Sequence, residues 1–270
     1  MKCFLLKMRV NGIKSINKEI ELNFYNSTVN KTFDSFNSNV KAIYGTNGAG
    51  KTGIIYAVEI YKNIMFDDTY LTLSNVNGSL NNLINQKTKK FSISMTFVLL
   101  EEERVLDIFE HTLVIGNQNK RFVIISEKLE KIIGSKINVQ NKRMLIFSTN
   151  NGELFLNDSF EMKDEIIMKS YNLLNNQTLE NFIVHTYKNP DVLIDLEFRN
   201  GICALSFFES EITVVLQDTD RNYINLISLQ NQLDSIDSLS ENLEEETFDE
   251  LWTRGRIIKN TIDTTAISII

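Results

Sequence analysis

Gly45-Thr46-Asn47-Gly48-Ala49-Gly50-Lys51-Thr52 matches the phosphate-binding loop pattern Gly-x-x-x-x-Gly-Lys-Ser/Thr at every position, where the chain is expected to pass from a strand into a helix. A triphosphate has to be wrapped by backbone N–H groups at close range. Gly45, Gly48 and Gly50 carry no Cβ to block that approach, so the loop can form an anion nest. Lys51 brings a compact positive charge to the β- and γ-phosphates, and the Thr52 hydroxyl can take one position on a Mg²⁺ that keeps several waters. The following helix would point its positive end at the same phosphates. Before the loop, Val40-Lys41-Ala42-Ile43-Tyr44 reads as a short buried strand. After it, Ile54, Ala57, Val58, Tyr61, Ile64 and Met65 recur at helical spacing, with Glu59, Lys62 and Asn63 opposite. The expected ligand is a nucleoside triphosphate with magnesium.

Working outward, 270 residues with 43% hydrophobic and 23% charged side chains suit one large soluble domain or two small ones. Two cysteines, Cys3 and Cys203, make neither a disulfide framework nor a metal site, so a reducing cytoplasm is the expected compartment. Apolar runs stop well short of membrane-spanning length, and Cys3-Phe4-Leu5-Leu6 is broken at Lys7, too soon for a signal peptide. The formal net charge of −7 leaves DNA contact unsupported by charge. The short basic clusters Lys87-Thr88-Lys89-Lys90 and Lys120-Arg121 read as solvated turns.

Alternation of Phe4, Leu6, Met8 and Val10 with Leu5, Lys7 and Arg9, and then of Ile20, Leu22 and Phe24 with Glu19, Glu21 and Asn23, predicts an N-terminal β-ribbon. The chain turns polar over 67–90. Phe91, Ile93, Met95 and Phe97 then begin a third strand, and runs at 109–115 and 122–125 extend it into an antiparallel meander. Asn150-Asn151-Gly152 predicts a hairpin between 143–147 and 153–156, since Asn and Gly tolerate positive φ. Helices are expected over 163–176 and 179–187, a second hairpin at Arg199-Asn200-Gly201 between 192–198 and 202–208, and a strand over 212–216. Leu226, Leu229, Leu233, Ile236, Ser240 and Leu243 mark an amphipathic helix, either packing on the core or rooting a coiled-coil arm or dimer contact. Glu244-Glu245-Glu246 reads as a solvated face. The division expected is a nucleotide-binding lobe over 1–220 and a helical segment over 221–270.

The loop interior Thr46-Asn47-Gly48-Ala49, preceded by a β-ribbon and closed by Gly50-Lys51-Thr52, resembles the ATP-binding head of the ABC-type group that includes the RecF, SMC/Rad50 and OLD ATPases. Within that group it is similar to the AAA15-type AAA family ATPases, some of them defence-associated. Lys7-Met8-Arg9-Val10-Asn11-Gly12-Ile13-Lys14-Ser15-Ile16 is similar to the group's first strand and turn, which commonly reads Val-x-Asn-Phe-Lys/Arg-Ser. Lys14 and Ser15 match; Gly12 and Ile13 stand where Asn and Phe are usual. The resemblance implies an α/β, P-loop NTPase fold of the ABC/SMC-head type, with N-terminal β-ribbon, antiparallel meander and helical C-terminal segment. It also implies ATP and Mg²⁺ as cofactors and Lys51 as the charge-stabilising catalytic lysine. Lys14 then contacts the nucleotide phosphates or is an exposed turn lysine. Such heads assemble in homo- or hetero-oligomers around nucleotide and drive a conformational change in a protein effector, by analogy in DNA repair or anti-phage defence.

The group hydrolyses ATP with a strand ending in Asp-Glu (Walker B) and an LSGGQ-like signature, and no LSGGQ-like segment occurs here. The nearest acidic strand end, with Asp195 and Glu197, has its carboxylates one residue too far apart. Asp218 and Asp220 are a weaker rival. Gln118 could stand for the group's γ-phosphate-sensing glutamine or be a turn residue, while His111 and His185 read as structural histidines. A longer ATPase of which this is the N-terminal part, in keeping with the apolar Ile267-Ser268-Ile269-Ile270 end, is expected over a degenerate, non-hydrolysing interaction subunit. Without an Asn-Lys-x-Asp motif a GTPase is disfavoured, and the meander argues against a small-molecule kinase.

Overall fold

A computed structural model describes residues 2–25, 43–44, 50–67, 69–101, 104–133, 142–157, 196–210, 212–214 and 266–267. Strand β1 (Lys2–Asn11) pairs on one side with β2 (Ile20–Asn23) and on the other with β3 (Lys90–Glu101), so that Met8 stands opposite both Leu22 and Met95. Strands β4 (Arg104–Gln118), β5 (Arg121–Ile133), β6 (Lys142–Asn150) and β7 (Glu153–Leu156) continue outward in sequence order. The result is a seven-stranded sheet ordered β2-β1-β3-β4-β5-β6-β7, with every neighbouring pair antiparallel. The expected ribbon and meander are both present. The strands outrun their apolar stretches because each tight hairpin lets pairing zip to the turn. The predicted hairpin at Asn150-Asn151-Gly152 forms with positive φ at Asn151 (48°) and Gly152 (83°).

One face of the sheet carries Met8, Val10, Ile93, Met95, Phe97, Phe109 and Leu113 into the main core, and helices cover it. Helix α1 (Lys51–Phe66) buries Ile54, Ala57, Val58, Tyr61, Ile64 and Met65, the face predicted from the 3.6-residue spacing. A single 3₁₀ turn (Tyr70–Thr72) and α2 (Ser74–Leu83) follow. The polarity of 67–90 gave no sign of α2, which buries only Leu80 fully. It is tied down instead by Asn77, whose Nδ2 donates to the Leu71 and Leu73 carbonyls while its Oδ1 accepts from Phe122 N.

Helix α3 (Leu196–Ser210) replaces the hairpin expected around Arg199-Asn200-Gly201. Ile202, Ala204 and Phe208 alternate as a strand would, yet Ile202, Leu205 and Glu209 recur equally well at helical spacing, and period alone could not choose. Tertiary packing chooses the helix. Phe208 stacks on Phe97 with ring centroids 4.3 Å apart, and a Cβ at Gly201 would stand only 3.2 Å from Ile146, so glycine here serves close packing rather than a turn. Lys62 of α1 donates from Nζ to the Ile212 carbonyl at 2.6 Å, and burial lowers its pKa. The short strand β8 (Thr213–Val214) pairs in parallel with β9 (Ala266–Ile267). The helices expected over 163–176, 179–187 and from Leu226 lie outside the described residues. Ile43 and Tyr44, the described part of the strand expected before the loop, lie in no strand, and Tyr44 is 89% exposed.

Four register shifts, at Leu5/Lys7, Leu99/Leu100, Val114/Ile115 and Leu129/Glu130, let the sheet change phase along its length. The face away from α1 is split by residue identity, as Ser94 and Thr96 give way to Val98 and Leu100 along β3. Phe4, Leu6, Val98, Leu100, Ile108 and Ile132 make a second apolar cluster toward one end. Toward the other, buried Glu110 accepts from Arg9 (2.7 Å), Arg143 (2.6 Å) and the Thr96 hydroxyl (2.9 Å). Burial alone would raise the Glu110 carboxyl, but Arg143, Arg9 and Thr96 together hold it below the usual range.

Candidate nucleotide site

Helix α1 begins at Lys51, and Gly50 is its N-cap, with φ 93° in the left-handed region. A Cβ at Gly50 would stand 2.9 Å from Ile16 Cγ1 and 3.2 Å from Ser15 Oγ, so conformation and space both require glycine there. As a glycine the N-cap offers no side-chain cap of its own, and the first turn carries no acidic residue, so no carboxylate of that turn opposes the positive end of α1. Lys51 is half-buried and Thr52 exposed. Gly45, Thr46, Asn47, Gly48 and Ala49 lie outside the described residues.

Beside this helix start lies the turn that links β1 to β2. Gly12 has φ 77°, and a Cβ there would overlap the Lys90 carbonyl oxygen. The turn closes on itself through Gly12 N to Ile16 O (2.9 Å) and Ile16 N to Ile13 O (2.8 Å). It is clamped to the exit of α2 through Lys14 N to Leu83 O (2.6 Å), Asn85 N to Gly12 O (2.9 Å) and Asn85 Nδ2 to Lys14 O (2.6 Å). Lys14 itself adopts φ 46°. Its Cβ lies 3.6 Å from the position a Gly53 Cβ would take, and its ammonium lies 4.0 Å from the centroid of the Tyr56 ring. Sequence alone left Lys14 between a phosphate contact and a solvated turn; its place is at the first two turns of α1.

Of the other sequence candidates, Gln118 is placed elsewhere. Gln118 ends β4 and donates from Nε2 to Asn151 Oδ1 at 3.0 Å, as a turn glutamine does. Glu197 lies in α3, so it shares no strand face with Asp195. Asp195 itself, His185, Asp218 and Asp220 lie outside the described residues. Among the described residues no group of three or more His, Cys, Asp or Glu side chains is placed to hold a metal.

The structure also holds a polar assembly that sequence reading missed. Tyr61 Oη of α1 lies 2.7 Å from His111 Nδ1 of β4 and 3.5 Å from Glu209 Oε1 of α3, and His111 Nε2 lies 3.2 Å from Glu127 Oε1 of β5. Glu127 N in turn donates to Thr149 Oγ1 at 3.1 Å. Tyr61, His111 and Glu127 are fully buried and Glu209 nearly so, at 2%. With Nε2–H turned to Glu127, Nδ1 accepts the tyrosine proton. Burial first, then the charge of Glu127, pushes the Glu209 carboxyl well above its usual range. Burial, then Glu209 and Glu127, likewise raise the Tyr61 phenol. His111 is therefore structural, as expected, but partnered. The available signal was its position on the same strand face as Phe109 and Leu113, where an imidazole needs partners.

The chain matches no protein-family model, and no curated protein matches it in sequence.

Proposed function

We propose that this chain is an ATP- and Mg²⁺-binding ATPase head lobe, the phosphate-binding half of an ABC-type site. It would assemble with a second head and drive conformational change in a protein effector. One observation carries the reading: a Gly-Lys-Thr ending of a phosphate-loop motif coincides with a helix start whose N-cap is a left-handed glycine. The left-handed glycine at the helix start and the absence of an acid in the first turn suit a bound polyphosphate. In this reading the loop amides and Lys51 hold the phosphates and Thr52 takes a magnesium position. Lys14 adds charge from the flank, and Mg²⁺ supplies neutralisation of the β- and γ-oxygens when bound. Hydrolysis further requires Walker B and signature elements from elsewhere, and the cytoplasm, DNA repair and anti-phage defence remain analogies of the family.

ATP with Mg²⁺ at millimolar concentration is expected to raise the melting temperature of the chain, and Lys51→Ala to remove the rise. An identical flat response in both proteins sinks the reading. Phosphate release separates the second reading, a non-hydrolysing nucleotide-binding subunit: turnover abolished by Lys51→Ala supports the ATPase, whereas binding without turnover supports the subunit.

A further inference from the structure

The backbone of Lys14 is fixed on both sides by the exit of α2, from Leu83 O and from Asn85 Nδ2, so the direction in which its side chain departs is set before any ligand arrives. That side chain runs along α1 from Gly53 to the ring of Tyr56. A helical side chain leans toward its own N-terminus, so Tyr56, four residues beyond Thr52, covers the preceding turn. An ammonium over that ring is held on the flank of the turn that starts with Lys51. A free lysine would otherwise spread over many rotamers.

We infer that Tyr56 is a positioning residue of the nucleotide site: its ring face holds the Lys14 ammonium beside the first turn of α1, so that a bound polyphosphate meets two lysines, Lys51 and Lys14. The inference rests on the proposed triphosphate reading of that helix start. Tyr56 acts through Lys14 and does not touch the ligand. What the contact needs is the π face, not the hydroxyl, because the cation is attracted by the ring quadrupole. Phenylalanine can therefore replace Tyr56 and an aliphatic residue cannot.

The test is ATP affinity of the full chain with Mg²⁺, by titration calorimetry at two salt concentrations. Tyr56→Leu is expected to weaken binding about two- to fivefold, the size of an exposed cation–π contact, and Tyr56→Phe to stay within about twofold of the wild type. On a Lys14→Gln background Tyr56→Leu should add nothing, and both variants should bind with the same, shallower salt dependence. Should Tyr56→Leu fail to fold, Tyr56→Met, unbranched and of similar bulk, carries the same expectation. Additive losses for Tyr56→Leu and Lys14→Gln, or equal losses for Tyr56→Phe and Tyr56→Leu, overturn the inference. A wild-type chain that takes up no ATP overturns the proposed function and this inference together; a wild type that binds while Tyr56→Leu binds equally well overturns the inference alone.

Discussion

Tyr61→Phe isolates the hydroxyl on which the buried assembly depends. The variant keeps the ring, its packing in the core and its edge-on contact with His111, whose ring centroid is 5.5 Å away. It removes one oxygen that lies 2.7 Å from His111 Nδ1 and 3.5 Å from Glu209 Oε1. The longer contact sits at the limit of hydrogen bonding and contributes little, so the loss falls on one imidazole nitrogen. Leaving a buried polar atom without its partner costs about 1–3 kcal/mol, because water cannot reach it to compensate. At about 2–4 °C per kcal/mol for a domain of this size, the melting temperature should fall by about 2–12 °C. Thermal and urea unfolding at neutral pH measure it, with Tyr44→Phe on a side chain 89% exposed as a control expected to change stability by less than about 0.5 kcal/mol. A Tyr61→Phe protein as stable as wild type would refute the hydrogen-bonded assignment of the cluster.

The same cluster fixes a pH dependence. The folded-state pKa of Glu209 is raised above 4.5, so the folded chain holds a proton that the unfolded chain releases. This contribution to stability is complete below the unfolded value and is lost as pH rises toward the folded one. Glu209→Gln abolishes the titration and should gain on wild type as pH rises above about 4.5, by at most about 1.4 kcal/mol per pH unit; a difference that is flat, or shrinks, in urea-melt series contradicts it. Gly12→Ala combines positive φ with overlap of the Lys90 carbonyl and should cost about 2 kcal/mol or more. Unchanged unfolding of that variant would mean that the 12–16 turn is not clamped as described.

What was legible in the sequence was local. The meander and the Asn150-Asn151-Gly152 hairpin follow from two-residue alternation and turn chemistry, and the buried face of α1 follows from helical spacing. The illegible parts depend on partners far apart in the chain. Gly201 reads as a turn until Ile146 comes to lie against it, and the period of 202–208 serves strand and helix alike. The bonds of Tyr61 reach across 50 residues to His111 and 148 to Glu209, separations at which no sequence period operates. At the candidate site the loop motif and Lys14 were visible beforehand. The contact between Lys14 and Tyr56 was not, because it comes from a turn that passes over the ring rather than from neighbours in sequence.

The tie at Tyr61 and the packing of Gly50 and Gly53 on Ile16 hold α1 toward both of its ends. Its polar fastening to β4 and α3 lies about ten residues beyond Lys51, or roughly 15 Å along the axis. A rotation of about 5° around Tyr61 would carry the start of α1 roughly 1.3 Å over such a span. Toward the 12–16 turn a shift of that size would press Gly50 into Ile16, so the two contacts together set where the helix begins.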